Sequence, residues 1–245
     1  MKADPGRQWR LLDLQALDTR LGQIAHRSAR LPQDVELSER HRGLEQVEAD
    51  LVATRTAWQD LQRELVKAEA DVDLVRDRAA RDRRLLDSGS GSAKDLQGLQ
   101  HELASLNRRQ GELEEIQLTV MERSEALQEQ LTALEARGGE LAEAVAQTTT
   151  RRDDALAELN EERDDILRRR EDVAAGVGDD LLTLYEKIRT SSGIGAAVLR
   201  QRRCEGCRLE LVGADMQRIA AAHPDEVIRC EECRRILVRT AESGL

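Results

Sequence analysis

The sequence predicts a mostly α protein, in which a long antiparallel coiled-coil hairpin carries a small C-terminal module organised by four cysteines. Three observations predict it. Apolar residues step by three and four along most of the chain, a Ser/Gly run divides that pattern into two arms of equal length, and all four cysteines fall in two C-x-x-C pairs near the end. Composition agrees, because Phe is absent, the aromatics are Trp9, Trp58 and Tyr185 only, and 35% of residues are charged. Aromatic side chains supply much of the buried area of compact domains, whereas charged, Leu- and Ala-rich chains of this kind form long helices.

The first element is the stretch Leu14, Leu17, Leu21, Ile24, Leu31. Pro32 follows, and proline removes a helical donor and clashes with the preceding turn, so a break or kink belongs there. From Leu44 the seam runs through Val47, Leu51, Trp58, Leu61, Leu65, Ala68, Val72 and Val75 to Leu86. This alternation is an a/d heptad seam, the pattern of helices that coil about a partner. The segment 88–93 is SGSGSA, and alternating Ser and Gly cannot hold a helix, so it reads as a tight turn at the tip. Beyond it the seam restarts at Leu96 and continues through Leu103, Leu113, Val120, Leu131 and Leu159 to Val173.

Arm lengths set the expected topology. Residues 8–87 and 94–173 each make 80 positions, so an antiparallel hairpin would place residue i opposite residue 181 − i. Each arm would reach roughly 120 Å at 1.5 Å per residue. Short connections favour antiparallel neighbours, and the alternative is that each arm pairs in parallel with another molecule. The same rule sets Gly43 opposite Gly138-Gly139, which points to either a hinge or a close helix contact. The domain reading is 1–178 for the hairpin and 179–245 for a linker helix and the cysteine module.

The cysteine module is the chemically specific part. Cys204-x2-Cys207 and Cys230-x2-Cys233 are separated by 22 residues. Two such pairs present four thiolates to one tetrahedral metal, and this spacing is a strong zinc signal. Four-thiolate iron is the rarer alternative. Residues 196–245 are too few to sustain a core without a metal or crosslink. A short strand near 209–212, a helix at 214–222, a His-Pro turn, and strands at 227–229 and 234–239 complete the outline of a ribbon. The fold class is therefore a long antiparallel coiled-coil hairpin with a small C-terminal four-cysteine zinc ribbon, holding one structural zinc ion. Four cysteines close the coordination shell, whereas catalytic zinc keeps an open position. His223, beside Pro224, reads as a turn residue. No carboxylate, His or Ser constellation rises above the heptad background, so neither an enzyme nor a small-molecule substrate is expected.

Charge bounds the partners. Residues 1–180 hold 27 basic and 39 acidic side chains, and residues 181–245 hold 11 and 9. An acidic stalk repels nucleic acid. Any such contact must come from the arginines around the cysteines: Arg202, Arg203, Arg208, Arg234 and Arg235, with Arg229 close by. They form either a partner-binding rim or a counter-charge to the dianionic zinc–thiolate centre. With no aromatics there for base stacking, protein partners are the first expectation, and RNA or DNA binding through the arginine rim is the alternative. The N-terminus has no apolar segment of secretory type, no run is long enough to span a bilayer, and a cytoplasmic location without membrane contact is expected.

The run YEKIR…GIGAAVL…CEGCRLEL…CEECRRILV, behind a coiled-coil hairpin with SAKDLQGLQHEL at its apex, resembles the bacterial C4-type zinc-ribbon, coiled-coil family. That resemblance implies zinc on the four cysteines. It also implies a chaperone- or adaptor-like role, as in members associated with flagella or type III secretion, with an alternative sigma factor, secretion components or a flagellar messenger RNA as partners. Those members often have Gly after the last cysteine, where this chain has Arg234.

Overall fold

The computed structural model describes residues 1–245. Helix α1 spans Pro5–Ser28; Asp4 caps it by accepting a 2.8 Å bond from the Gly6 amide, and Pro5 occupies the first turn, where no donor is needed. Helix α2, Pro32–Asp87, begins on Pro32 itself, so the proline ends one helix by starting the next. Helix α3 spans Ala93–Ala175 without interruption. Its start is a reciprocal cap: Ser92 Oγ accepts from the Asp95 amide at 3.2 Å, and Asp95 Oδ2 accepts from the Ser92 amide at 3.0 Å. The bonds from the Ser92 hydroxyl and amide hold the Asp95 carboxyl below its ordinary range.

The chain divides into two compact units, 35–149 and 1–34 together with 150–245. Unit 35–149 is the hairpin of α2 and α3. Val47, Leu61, Ala68 and Val72 on α2, and Leu103, Leu113, Val120 and Leu131 on α3, are buried as the heptad seam requires. The register departs from 181 − i. A Cβ at Gly43 would meet Leu141 at 3.6 Å, one at Gly138 would meet Val47 at 3.5 Å, and Gln62 Nε2 donates to Ser124 Oγ at 2.6 Å. Each partner lies three to five residues, about one helical turn, past the counted position. Counting from mid-loop assumes that both helices stop level, whereas register is set where knobs seat in the holes of the facing helix. Gly43 and Gly138 are therefore not opposite each other, and neither interrupts its helix.

The other unit joins α1, the last part of α3, helix α4 (Asp179–Ser192) and the ribbon. The ribbon comprises β1 (Ala196–Arg200), β2 (Arg203–Cys204), helix α5 (Gly213–Ala221), β3 (Ile228–Arg229) and β4 (Ile236–Val238). Strand order is β2-β1-β4-β3, with β1 and β4 parallel and the outer pairs antiparallel. Both sheet faces are buried. Ala196, Ile236 and Val238 pack on Leu11, Leu14, Leu181, Tyr185 and Ile188 of the helices. Ala197, Leu199 and Leu237 point the other way, against Leu211, Met216, Ile219 and the cysteines. This is the period of two expected of strands, and it joins the cysteine module to the helices through one sheet.

Two secondary-structure expectations change. Strand β1 stands where the sequence predicts no strand, because GAAVL is short and Ala-rich and carries no alternation that would declare one. The strand expected at 209–212 is reduced to one bridge, Arg203 to Glu210. Helix α5 and strands β3 and β4 fall within one or two residues of expectation.

Candidate metal centre and its arginine rim

Each C-x-x-C pair forms the same tight turn. In the first, the Arg208 amide donates to Cys204 O at 2.6 Å and the Cys204 amide to Leu209 O at 3.1 Å. In the second, the Arg234 amide donates to Cys230 O at 2.9 Å and the Cys230 amide to Arg235 O at 3.0 Å. The residue after each second cysteine must be left-handed, and Arg208 (φ 62°) and Arg234 (φ 59°) both are. Glycine is the residue that takes this conformation without strain. Arg234 adopts the turn although it is not glycine, so the second knuckle closes like the first.

The two turns face each other. Cys204 and Cys233 Sγ lie 3.8 Å apart, Cys207 and Cys230 Sγ lie 3.9 Å apart, and all four sulfurs are within 4.8 Å of one another. A tetrahedral zinc with bonds of about 2.3 Å sets sulfurs about 3.8 Å apart. Disulfides need about 2.0 Å. The donor set and spacing fit one zinc ion, as a C4-type ribbon requires. Burial pushes the thiols of Cys204 and Cys230 up from their ordinary range, so a cation is what makes thiolates of them. His223 stays outside the cluster, exposed and bonded through Nδ1 to Asp225.

The structure separates the five rim arginines. Arg235 is a clamp: it donates to Gly206 O at 2.6 Å and Ser192 O at 3.3 Å, tying the first knuckle and the end of α4 to β4. A Cβ at Gly206 would lie 2.8 Å from Arg235 Cδ and 3.0 Å from Ala197 Cβ, so the clamp needs glycine there. Arg234 pairs with Glu231 at 3.4 Å, and Arg229 donates to Arg234 O at 2.8 Å. Arg202, Arg203 and Arg208 are exposed, and their side chains make no ion pair or hydrogen bond. Beside them Leu209 is 50% and Val212 65% exposed.

Two structural groups were not singled out from sequence. Arg239 donates to the carbonyls of Ala222, His223, Pro224 and Glu226 at 2.8 to 3.0 Å, and Trp9 Nε1 donates to Arg239 O at 2.9 Å. The second group centres on Asp18, whose side chain is 2% exposed. It accepts from Tyr185 Oη at 2.7 Å and Arg170 Nε at 2.7 Å, with Arg189 3.3 Å away. Both arginines also pair with Glu186. Burial, then the bond to Asp18, pushes the Tyr185 phenol far above its ordinary range. Gln15 Oε1 accepts from Tyr185 Oη at 3.2 Å and from the Gly195 amide at 2.7 Å, joining α1 to the entry of β1. A Cβ at Gly195 would lie 2.5 Å from the Tyr185 ring. One signal of this network was legible: Asp18 interrupts the apolar stripe Leu11, Leu14, Leu21.

Comparison with known proteins follows the two parts of the fold. Residues 14–193 match the CT398-like coiled coil hairpin domain, and residues 203–237 match the C4-type zinc ribbon domain. The chain belongs to the CT398-like coiled coil hairpin family. An uncharacterized protein of Mycobacterium tuberculosis is 40% identical, covering 98% of each chain. A solved structure from Mycobacterium smegmatis superposes with a TM-score of 0.84 at 39% identity, over 98% of this chain and 100% of that one. CT398 from Chlamydia trachomatis superposes with a TM-score of 0.67 over 96% and 98% of the two chains. At 16% identity that likeness shows the shared fold alone.

Proposed function

We propose that the protein is a non-enzymatic, cytoplasmic adaptor of chaperone-like type, which uses its helices to present a structural zinc ribbon to protein partners. The observation that carries this reading is the composition of the ribbon's open face. Unpaired Arg202, Arg203 and Arg208 lie beside a segment that exposes Leu209 and Val212, with Glu205 and Glu210 interleaved. Exposed aliphatic side chains beside arginines are the make-up of a protein interface. The closed four-thiolate centre supports a structural rather than a catalytic metal. No helix is long and apolar enough to cross a membrane.

A photo-crosslinking amino acid at Val212 tests this in the native cell. Nuclease-resistant protein adducts at Val212, lost with a crosslinker at Val52 on α2, are the expected result. Adducts consisting only of nucleic acid would overturn it. The three unpaired arginines also favour a second reading, an RNA- or DNA-binding regulator. That reading requires wild-type binding that weakens steeply with salt, because each phosphate contact releases a counterion.

A further inference from the structure

The outermost strand position of the ribbon has an unused backbone edge. Strand β2 lies at the end of the sheet, and the segment 209–211 attaches outside it through the Arg203–Glu210 bridge. The bonds that form this bridge run from the Cys204 amide to Leu209 O at 3.1 Å and from the Leu211 amide to Arg202 O at 2.8 Å. They flank the Arg203–Glu210 pair, which makes it the non-hydrogen-bonded type. The Glu210 N–H and C=O therefore turn outward, away from β2, and neither has a backbone partner. Leu211 is buried beneath, Leu209 and Val212 are exposed on either side, and Val212 is extended, with φ −68° and ψ 160°.

The cations gather on this same edge. Arg203 is the bridge partner of Glu210, Arg202 O accepts from Leu211, and Arg208 precedes Leu209 in the chain. Gln201 (φ 44°) and Arg202 (φ 65°) form the two-residue turn between β1 and β2, and Arg208 is left-handed as well. A glycine would relieve the strain at Arg202 and Arg208, yet arginine stands there with no internal partner. The knuckle turn requires this conformation at Arg208 and the two-residue hairpin requires it at Gln201 and Arg202.

Resting on the adaptor reading, we infer that an extended acidic–aliphatic segment of a partner protein adds as a strand to the 209–212 edge. Its backbone pairs with Glu210 N–H and C=O, its carboxylates engage Arg202, Arg203 and Arg208, and its aliphatic side chains cover Leu209 and Val212. This is strand addition to an open sheet edge, in which main-chain bonds give affinity and alternate side chains give specificity. A strand offers side chains to one face every second residue, about 6.6 Å apart. It can thus set carboxylates on separate arginines and avoid Glu205 and Glu210. A phosphate backbone carries charge continuously and would meet those glutamates and the dianionic zinc–thiolate centre. Its phosphate oxygens can accept from the outward N–H but supply no donor for the C=O beside it.

The test measures fluorescence anisotropy of a fluorescein-labelled nonapeptide alternating glutamate with valine, added to the zinc-loaded full chain. Saturable binding is expected, weakened at least about tenfold by R202Q/R203Q/R208Q, since charge-assisted hydrogen bonds to carboxylates are lost. Glu210→Pro should weaken it similarly with zinc content unchanged, because that amide makes no internal bond and its removal affects only the incoming strand. An alternately N-methylated peptide should fail on the unaltered protein, which separates strand pairing from any folding effect of the proline.

Absence of saturable binding overturns the inference, as does equal binding of a lysine–valine peptide, of the N-methylated peptide, or by Glu210→Pro. Labelled single-stranded RNA that binds where the acidic peptide does not would also overturn it. If these assays fail while Val212 still yields protein adducts, the edge inference falls and the adaptor reading stands; loss of both removes both.

Discussion

Replacing Asp18 with Ala tests whether α1 is held to α3 and α4 by a buried charge network. The carboxylate holds three groups from two other elements: Tyr185 Oη at 2.7 Å, Arg170 Nε at 2.7 Å and Arg189 at 3.3 Å. Removing one partner of a buried ion pair typically costs about 3–5 kcal/mol. The lower end applies, because Arg170 and Arg189 keep Glu186 and Tyr185 Oη keeps Gln15. We expect about 3 kcal/mol for Asp18→Ala and about 1 kcal/mol for Tyr185→Phe, which removes one hydrogen bond and leaves both arginines on the carboxylate. Trp9 reports locally, since its indole bonds to Arg239 O. Urea unfolding followed by its fluorescence in a Trp58→Phe background therefore reads this unit rather than the hairpin. A loss below about 1 kcal/mol for Asp18→Ala, or an equal loss for the two variants, would refute the reasoning.

Native mass spectrometry should find one zinc per chain, and Cys204→Ser or Cys230→Ser should lose it together with protection of residues 196–245 in hydrogen exchange; a metal-free, protected ribbon is the contrary result. Cysteines at Leu65 and Val120, both seam positions, should crosslink within one chain. Cysteines at Leu65 and Ile116, the pair given by the 181 − i rule, should crosslink poorly, because Ile116 is 50% exposed and one turn out of register. Arg234→Gly should retain zinc and raise the ribbon's unfolding midpoint, relieving up to about 1 kcal/mol of left-handed strain against the loss of a weak exposed ion pair with Glu231. A lower midpoint would mean that the Arg234 side chain stabilises the second knuckle.

Much of this architecture is written locally in the chain. Heptad steps, the Pro32 break, the Ser/Gly tip and the two C-x-x-C pairs each depend on residues a few positions apart, and periodicity or spacing exposes them directly. Thiolate chemistry adds the metal, since four cysteines at this spacing have one economical use. The register of the hairpin did not follow from counting, because interlocking of side chains between helices decides it, and Gly43 meets Leu141 rather than Gly138. The five rim arginines look alike in sequence. Only the fold makes Arg235 a clamp on Gly206, gives Arg234 a neighbour in Glu231, and leaves Arg202, Arg203 and Arg208 open. Strand β1 exists because β4 offers it a parallel partner, from Ala196 beside Ile236 to Val198 beside Val238. Asp18 and Tyr185 are 167 positions apart in the chain. Their bond depends on α1, α3, α4 and β1 converging, and a local pattern carries no record of a contact made by tertiary packing.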